Sequence, residues 1–577
     1  MKFAKALVMV ALSVVLYLSN ASVTAQEKAK DGDEDGIAVT HSLTVEKCSS
    51  CHKKDEKGRL TRISWERLTP EGWQQAIKRM VRLNGLSLAP EEARSIVKYL
   101  SNNHGLAPEE ARPAMYYAER RLPDETVPDE STRNACTVCH TYGRILSQRR
   151  SREEWGLLVN MHVGYFPVVE FQGFRRFPPP PGAPPPPPGT DTRHPADRAV
   201  EYLAKTFPLQ TPEWNAWRAN MRAPKIAGRW LAVGTQSGRG RVYGEVVIEP
   251  TGVEDEFTTR TTLNYVQEKK TVTRTGRSIV YAGYSWRGRS VGPKPTGEVT
   301  ASTDPAEIRE VMFVSRDWSQ IDGRWFWGDY EEFGIDLTLR RIDAAPIVAG
   351  LDQASIQAPA TGTALTIFGA NLPTDLTPAE IDLGPGIVVK RIVSATSASI
   401  AVQVDVAAGA ALGKRDIAVR RSFAPGAVTV YDRIDYIRVS PESSLARLGG
   451  VSFPKGYAQF EAIGWNRGPD NKPQTADDLN LGPVAAEWSI EEFPSTYDDD
   501  DKNFIGSLSR AGLFTPAIEG PNPKRKFERN NYGEVWVVAT RPPSDAAKDA
   551  RPLTARSYFV VTVPLYAKWD QPEVAPK

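Results

Sequence analysis

Histidine and cysteine are scarce in this chain of 577 residues. It has six histidines and four cysteines, and every histidine lies before residue 195. The long C-terminal part therefore has no imidazole with which to bind a metal ion or to act as a general base. It also lacks the motifs H-E-x-x-H and G-x-S-x-G and a glycine-rich phosphate loop between a strand and a helix. We therefore predict no catalytic residue in this chain.

An excess of charge of one sign is also absent. Lysine and arginine number 72 against 70 acidic residues, a formal net charge of +2, which gives no reason to expect nucleic acid or a charged membrane surface as partner. Apolar runs of membrane-spanning length are absent beyond the N-terminus. There, Lys2 and Lys5 precede the apolar run ALVMVALSVVLYL and the small residues SNASVTAQ. This pattern predicts a signal peptide, 1–25, cleaved near Ala25, and an exported protein with no membrane insertion.

All four cysteines belong to two copies of one motif, CSSCH and CTVCH. The spacing C-x-x-C-H is the attachment signature of c-type haem, in which two thiols bind the vinyl groups and the histidine binds the iron. A disulfide or a redox dithiol is the alternative, but neither needs a histidine after the second cysteine twice. We predict two covalently bound haem c groups, with the two histidines as proximal iron ligands. The predicted haem-binding residues are Cys48, Cys51, His52, Cys136, Cys139 and His140.

The two motifs begin two similar segments. After each motif comes a helix with an early tryptophan, and each segment ends in a helix that contains Tyr-Leu. We predict a helical dihaem cytochrome c domain over 26–217, with tandem repeats at about 40–125 and 126–217. Thr69-Pro70 and Ser151 are the predicted helix starts. The second repeat also contains a proline-rich insert, 177–190, which we expect to be an extended exposed loop and either a stiff spacer or a partner-binding segment.

The second axial ligand of each haem iron follows from aligning the repeats on their tryptophans. Met80 lies seven residues after Trp73, and His162 lies seven residues after Trp155, whereas Met161 lies six after. Methionine and histidine are the usual second ligands of electron-transfer haems. We predict Met80 at the first haem and His162 at the second, with Met161 as the alternative for the second.

The predicted ligand pairs differ in a way that bears on function. A thioether ligand raises a haem potential and an imidazole lowers it, so the two haems would have separate potentials, which suits a directional relay. His104 is another histidine of the first repeat. It precedes Gly105 and is expected to end a helix rather than to bind iron.

Beyond Trp217 the pattern becomes that of β-strands. Alternating, β-branched and aromatic runs are separated by Gly, Pro, Asn and Asp. We predict an antiparallel barrel or sandwich over 218–344, an immunoglobulin-like sandwich over 345–440 and a C-terminal β domain over 441–577. Asp322-Gly323 is predicted to be a hairpin turn in the first of these domains. The fold class is thus an all-α dihaem domain followed by three all-β domains.

Two acidic segments lie in the C-terminal β domain. Asp470, Asn471, Asp477 and Asp478 could form an oxygen cage for calcium, although their spacing fits no EF-hand and favours a solvated turn. The run DDDDK at 498–502 is expected to be an exposed acidic loop.

This order of parts, with CSSCH, CTVCH and EEWGLLVNMHVGYFP, resembles the α subunits of quinohemoprotein amine dehydrogenases. The resemblance covers essentially the whole mature chain. It implies a periplasmic heterotrimer in which a small subunit carries a cysteine tryptophylquinone and oxidises the amine, while a β-propeller subunit completes the complex. The α subunit would pass electrons from the quinone through its haems to a soluble copper protein or cytochrome c.

Two other functions are compatible with the residues. One is a dihaem peroxidase, which needs an open or releasable distal site on one haem, whereas the repeat alignment assigns a ligand to both. The other is a free-standing dihaem electron carrier whose β domains bind a surface or partner.

Overall fold

The computed structural model describes most of the chain and divides it into two compact units, Met1–Glu66 and Arg67–Lys577. The predicted signal peptide, Cys139 and residues 177–179 of the proline-rich insert lie outside the described residues. Among the described helices, none combines the length and apolar character needed to span a bilayer. The structure describes residues 35–115, 127–137, 140–176, 180–295, 301, 303–450, 452–494, 499–543 and 551–564.

The first unit contains helix α1 (Ser42–Cys48) and an irregular chain around it. The backbone N–H groups of Ile37 and Val39 donate to the carbonyls of Ser64 and Gly58, at 2.8 and 3.0 Å. These bonds hold residues 37–39 against the chain at residues 58–64. The haem motif, which begins at the end of α1, therefore lies within a fixed loop.

Helices of the second unit precede residue 220, and several begin with proline, which suits the first turn because that position needs no N–H donor. The predicted starts are confirmed: Thr69 and Ser151 cap their helices with their hydroxyl groups. The helices are α2 (Pro70–Asn84), α3 (Pro90–Asn103), α4 (Pro108–Ala111), α5 (Glu130–Cys136), α6 (Gly143–Leu146), α7 (Arg152–Tyr165), α8 (Val168–Phe171), α9 (Pro195–Thr206) and α10 (Pro212–Ala219).

Two short strands interrupt the helices, so the prediction of an all-α N-terminal region is too strong. They are β1 (Glu66–Leu68) and β2 (Gln148–Arg150), and each leads into a capped helix. Leu68 N–H donates to the carbonyl of His104 at 3.0 Å, and Arg150 N–H to that of Phe207 at 3.3 Å. These carbonyls belong to the residues that end α3 and α9. The two strands also form a two-stranded sheet with each other, which requires extended backbone in both.

The next region is a closed antiparallel barrel with the strand order β10-β3-β4-β5-β6-β7-β8-β9. Alternate side chains point inward and fill it, among them the buried Trp230, Trp286 and Trp325. The strands are β3 (Gly228–Gln236), β4 (Gly240–Pro250), β5 (Glu256–Tyr265), β6 (Lys270–Tyr281), β7 (Ser285–Val291), β8 (Glu307–Val314), β9 (Gln320–Trp327) and β10 (Phe333–Arg341).

The predicted hairpin turn at Asp322-Gly323 is wrong. Both residues lie inside β9, and the turn between β8 and β9 runs through Trp318, which has a φ of 58°. A Cβ at Gly323 would lie 2.3 Å from the carbonyl oxygen of Val311 on β8. The glycine is therefore needed for the close approach of two strands, which the sequence pattern does not distinguish from a turn.

Two four-stranded sheets follow and share one apolar core, which is the layer arrangement of a β-sandwich. One sheet has the order β11-β13-β16-β15 and the other β12-β18-β17-β14. The strands are β11 (Ile347–Leu351), β12 (Ser355–Gln357), β13 (Ala360–Ala370), β14 (Ile381–Asp382), β15 (Ile387–Ala395), β16 (Ser399–Val406), β17 (Gly413–Val419) and β18 (Ser422–Tyr431).

The C-terminal region contains three small sheets around a core that includes Phe460, Phe514 and Phe559. Their orders are β19-β22-β23, β20-β28-β27-β24 and β21-β26-β25. The strands are β19 (Tyr436–Ser440), β20 (Ser443–Arg447), β21 (Ala458–Gln459), β22 (Glu461–Asn466), β23 (Leu479–Pro483), β24 (Glu487–Glu492), β25 (Gly506–Leu508), β26 (Leu513–Pro516), β27 (Gly533–Arg541) and β28 (Leu553–Thr562).

The acidic run before β25 is not the exposed loop that its composition predicts. The side chains of Asp499 and Asp501 are only 3 % and 7 % exposed. Arg525, itself buried, pairs with Asp500 at 2.8 Å and with Asp501, and Arg529 pairs with Asp499 at 3.0 Å. The two arginines provide counter-charges to Asp499 and Asp501, which allows these two carboxylates to be buried.

Candidate functional site

The first haem motif lies at the end of α1, where Cys48 is the last helical residue and Cys51 is exposed. His52 is held by a hydrogen bond of 2.8 Å between its Nδ1 and the carbonyl oxygen of Thr61. Because a carbonyl only accepts, Nδ1 carries the proton and Nε2 has a free lone pair. A backbone partner on one ring nitrogen is typical of histidines that bind a metal through the other.

A tight turn fixes the Thr61 carbonyl that orients His52. The Asp55 carboxylate accepts hydrogen bonds from the backbone N–H groups of Lys57 and Arg59, at 3.0 and 2.8 Å, and from the Arg59 side chain at 2.6 Å. The Arg59 N–H lowers the pKa of Asp55 most, and the guanidinium lowers it further. The carboxylate is therefore charged at neutral pH and keeps the turn closed.

The second haem motif begins at the end of α5, with Cys136 as the last helical residue. Asp129 caps this helix by accepting a hydrogen bond from Thr132 N–H at 2.6 Å. Cys136 packs against a buried cluster of Ala135, Phe174 and Ala199. In the part of the chain that the structure describes, Cys48, Cys51 and Cys136 form no disulfide.

His140 is the proximal candidate of this second motif. Its Nδ1 lies 3.0 Å from the carbonyl oxygen of Thr141, so Nε2 again carries the lone pair. Burial lowers the pKa of His140 to about 4, with a smaller effect in the same direction from Arg144. The imidazole is therefore neutral at physiological pH, which is the form that binds a metal ion.

His162 lies opposite His140. Its Nδ1 bonds to the carbonyl oxygen of Leu158, one turn earlier on α7, at 2.8 Å. The centres of the two imidazole rings are 6.3 Å apart, with the rings tilted by 49°. An imidazole nitrogen binds a transition-metal ion at about 2 Å, with the ring centre about 1 Å behind it, so two rings on one iron have centres about 6 Å apart.

The two histidines could hold one haem between them, since both Nδ1 atoms lie on backbone carbonyls and both Nε2 atoms keep a lone pair. Met161, the alternative ligand, is half-buried and lies one residue earlier on α7, about 100° around the helix. The side chain that the structure brings to His140 is that of His162.

The two repeats have the same local geometry, which bears on the alignment that selected Met80. The indole N–H of Trp73 donates to the carbonyl of His104 at 2.8 Å, and that of Trp155 donates to the carbonyl of Phe207 at 3.1 Å. Each tryptophan lies four residues after its capping hydroxyl, Thr69 or Ser151. The residues seven positions after each tryptophan are therefore structurally equivalent, and Met80, half-buried on α2, corresponds to His162.

A buried ionic cluster joins the two repeats. Arg67, just before the Thr69 cap, forms two hydrogen bonds with the carboxylate of Glu110, at 2.7 and 2.9 Å. Arg149, just before the equivalent cap, lies 3.3 Å from the same carboxylate. Burial opposes the charge of Glu110, but Arg67 and Arg149 outweigh it and lower its pKa. One carboxylate thus connects the starts of the helices that carry Met80 and His162.

The remaining sequence predictions have mixed outcomes. His104 ends α3, as predicted. Asp470, Asp477 and Asp478 come close enough to share an ion, but loop groups also bind them: Asp478 accepts from Gln474 N–H at 2.6 Å, and Asp477 accepts from Asp470 N–H at 3.1 Å. The calcium prediction stays a prediction.

Sequence reasoning missed the groups that orient the histidines. These are the backbone carbonyls of Thr61, Thr141 and Leu158. Because a carbonyl is present in every residue, no residue type signals it. Only the helical spacing between Leu158 and His162, four residues, could have suggested one of the three bonds.

Four protein-family models match the chain, and together they cover most of it. "Quinohemoprotein amine dehydrogenase A, alpha subunit, haem binding" matches residues 38–177. Domains II, III and IV of the quinohemoprotein amine dehydrogenase alpha subunit match residues 223–342, 348–432 and 437–574. The matches follow the order of the haem motifs, the barrel, the sandwich and the C-terminal sheets.

Other comparisons add little. No curated protein matches the chain. A redesigned β-barrel bound to DFHBI is 13 % identical and covers 20 % of this chain and 94 % of its own, with a TM-score of 0.17. A de novo designed fluorescence-activating β-barrel is 17 % identical, covers 20 % and 93 %, and has a TM-score of 0.16. Scores this low support no conclusion.

Proposed function

The chain belongs to the family of quinohemoprotein amine dehydrogenase alpha subunits, and from this premise we propose that it is the electron-transfer subunit of a periplasmic amine dehydrogenase. Two c-type haems are attached to this chain, in a tandem dihaem cytochrome domain. It receives electrons from a quinone on a partner subunit and delivers them to a soluble acceptor during the oxidative deamination of primary amines.

The pair His140 and His162 is the observation that carries this proposal. The centres of the two imidazole rings lie 6.3 Å apart, and each Nδ1 is hydrogen-bonded to a backbone carbonyl. A site for a substrate would leave one iron face open, whereas in this proposal His140 and His162 occupy both faces. This arrangement suits electron transfer and argues against peroxidase chemistry at the second haem.

The chain's own residues hold each haem and set its properties. Cys48 and Cys51 attach the first haem, with His52 and Met80 as its ligands; Cys136 and Cys139 attach the second. When bound, the haems supply one-electron transfer. Thioether ligation at the first and imidazole ligation at the second give them different potentials, and therefore give the electrons a direction.

The partners in this proposal are a small subunit that carries cysteine tryptophylquinone and a β-propeller subunit, in a heterotrimer. The acceptor is a soluble copper protein or cytochrome c. The basic and apolar N-terminus supports export with cleavage near Ala25. The three β regions offer the surfaces for assembly, since no catalytic residue is assigned to them.

Isolation of the tagged chain from a native periplasmic extract tests this function. Mass spectrometry should find a small, internally cross-linked subunit and a β-propeller subunit, and added amine should reduce the haems of the complex. A variant with Cys136 and Cys139 replaced by alanine should keep the partners but lose electron delivery. A chain that purifies alone, with no fraction in which amine reduces its haems, would contradict the proposal and favour a free-standing carrier.

A carbon monoxide titration of the reduced protein separates the peroxidase alternative. Two haems with two protein ligands each should bind carbon monoxide slowly or not at all. Rapid binding at one haem would show an open distal site and favour a peroxidase-like enzyme.

A further inference from the structure

The barrel contacts the helix that carries Met80 through a buried ion pair. Arg287 on β7 and Glu71 in the first turn of α2 lie 216 positions apart in the chain, and the two residues are 4 % and 9 % exposed. The guanidinium donates through Nε to Glu71 Oε1 and through Nη2 to Oε2, the latter at 3.2 Å. Two parallel hydrogen bonds fix the orientation of the carboxylate as well as its distance.

The donors of Arg287 that do not reach Glu71 are also used. Nη1 donates to the hydroxyl of Ser285 at 3.1 Å and to the carbonyl of Trp286 at 2.9 Å. Both acceptors belong to β7, so the guanidinium is fixed to the barrel before it meets the helix. Burial alone disfavours its charge, but the Glu71 carboxylate outweighs burial and raises the pKa of Arg287. The pair therefore links the barrel to the helix through a guanidinium held by both.

A buried pair of this kind contributes orientation more than stability. Removing two charges from water offsets most of the attraction between them, and apolar replacements are often as stable. Stability therefore does not explain why the pair is present, whereas the position of Glu71 on α2 suggests a role in orienting the helix. It lies nine residues before Met80, about two and a half helical turns, which puts the two side chains on opposite sides of α2.

The same helix is held at a second point. Trp73, seven residues before Met80 and thus on nearly the same side of α2, donates its indole N–H to the His104 carbonyl at 2.8 Å. Glu71 on one side and Trp73 on the other together fix the rotation of α2 about its axis. Rotation of the helix is what decides where the Met80 sulfur points.

The second repeat has no equivalent of this link. Glu153 is the counterpart of Glu71, because both lie two residues after the cap, and it is exposed. The neighbouring Arg152 pairs at 3.0 Å with Glu201 on α9, within the same repeat. The start of the His162 helix is thus held by Glu201 of its own repeat and, through Arg149, by Glu110, whereas the Met80 helix is also tied to the barrel.

We propose that Arg287 of the barrel is a positioning residue for the axial methionine of the first haem, acting through Glu71 and the rotation of α2. The inference rests on the proposed function in that Met80 is taken as an iron ligand. A thioether is a weak neutral ligand with a flexible side chain, so its bond to iron depends on how its helix is held. The imidazole of His162 already has a carbonyl partner on its own helix and needs no such brace.

The test uses the whole exported protein with both haems attached. In Arg287→Met, the charge-transfer band of methionine bound to ferric iron should lose at least half its intensity, and the ferrous protein should gain a carbon monoxide-binding haem. The potential of the first haem should fall, while the bis-histidine spectrum of the second haem stays unchanged and serves as an internal control. Arg287→Lys, which keeps the charge but loses the paired geometry, should give a smaller loss of the band.

A matched control lies on the same interface. Lys98 of α3 pairs with Asp255 of the barrel at 2.5 Å and with the Val280 carbonyl at 2.7 Å, but it is not on the Met80 helix. Lys98→Met should leave the methionine band intact. If Arg287→Met does not fold, Arg287→Lys and the double variant Glu71→Gln/Arg287→Met, which removes both charges, carry the measurement.

The outcomes separate this inference from the proposed function. If the wild type shows the methionine band and Met80→Ala abolishes it, but folded Arg287 variants keep it in full, the positioning role is wrong and the function stands. If the wild type has no methionine band, or Met80→Ala keeps it, the ligand assignment itself fails and the inference fails with it. Equal loss of the band in the Lys98 variant would show a general effect of the interface and also overturn the role of Arg287.

Discussion

The two repeats begin their ligand-bearing helices in the same way but hold them differently. Each helix has a capping hydroxyl, a tryptophan four residues later and a candidate iron ligand seven residues after that. The second helix brings His162 to His140 within one compact set of helices. The first helix is tied through Glu71 to Arg287 of a separate barrel. A duplicated unit can thus keep its local geometry while its surroundings give the copies different supports.

The largest expected effect comes from removing the second repeat's distal ligand. His162→Ala should open one iron face and give rapid carbon monoxide binding. Loss of a residue that only orients a metal ligand typically lowers activity roughly 10–100-fold, and loss of the ligand itself should lower electron delivery by more than that. The measurement is the reduced spectrum with carbon monoxide, together with amine-dependent turnover of the complex. Met161→Ala is the matched control and should keep the wild-type spectrum with carbon monoxide and the wild-type turnover. The reverse result would assign the iron to Met161 and break the register between the repeats.

The second effect tests the carboxylate that joins the repeats. Glu110→Ala leaves Arg67 and Arg149 buried without their counter-charge, and we expect the free energy of unfolding of the haem region to fall by about 3–5 kcal/mol. Urea unfolding followed by haem absorbance measures it. Arg112 forms an ion pair with Asp322, and its side chain is 56 % exposed. Arg112→Gln removes this pair and should lower the free energy of unfolding by less than about 1 kcal/mol. Equal costs would mean that the buried cluster is not what joins the repeats.

The same carboxylate gives a pH dependence. Because its pKa is lowered in the folded protein, Glu110 contributes stability above the ordinary glutamate pKa of 4.5, and this contribution is lost as the pH falls through the folded pKa. The free energy of unfolding of the haem region should therefore fall more steeply below about pH 4.5 in wild type than the other carboxylates alone would give. Glu110→Gln should remove that part of the dependence.

Exchange of the ligands sharpens the comparison next. Met80→His should lower the potential of the first haem, and His162→Met should raise that of the second, each on the order of 0.1 V. Redox titration of each variant measures both haems at once. The double exchange should reverse the order of the potentials and slow electron delivery. An unchanged first potential in Met80→His would remove Met80 from the ligand set.

The smallest effect concerns the barrel, whose Arg287 pairs with Glu71 on the Met80 helix. Burial raises the pKa of Glu310 to about 7, although the Trp286 indole partly offsets it. A carboxyl group with a raised folded pKa stabilises the barrel below the ordinary pKa of 4.5, and this stability is lost as the pH rises to about 7. We expect the free energy of unfolding to fall by about 1–3 kcal/mol between pH 5 and 8.

Glu310→Gln should flatten that dependence, as measured by urea unfolding of the full chain at several pH values followed by tryptophan fluorescence. In wild type, the methionine band of the first haem should weaken over the same pH range, while the second haem's spectrum stays constant. A parallel change at both haems would contradict the idea that the Arg287–Glu71 pair acts on the ligand of the first haem alone.

Sequence reasoning succeeded where the chemistry depends on near neighbours in the chain. The capping hydroxyls of Thr69 and Ser151 are such a relation and are confirmed. The C-x-x-C-H spacing and the seven-residue step from tryptophan to candidate ligand are equally local, and the ligands that they indicate stay predictions. It failed where one residue type suits two kinds of structure. Gly323 lies inside β9 rather than in a turn. Asp501 of the acidic run is buried rather than exposed. In both cases the deciding partner is far along the chain or on another strand.

The amino-acid sequence by itself determined the haem motifs, the duplication, the positions equivalent in the two repeats and the succession of helical and β regions. These follow from periodicity and from bonds within a few residues. Only the tertiary structure decided that one set of strands closes into a barrel, that His162 faces His140 and that Arg287 reaches Glu71. The reason is physical: such contacts depend on where distant segments pack against each other, and a single sequence shows both partners without showing that they meet.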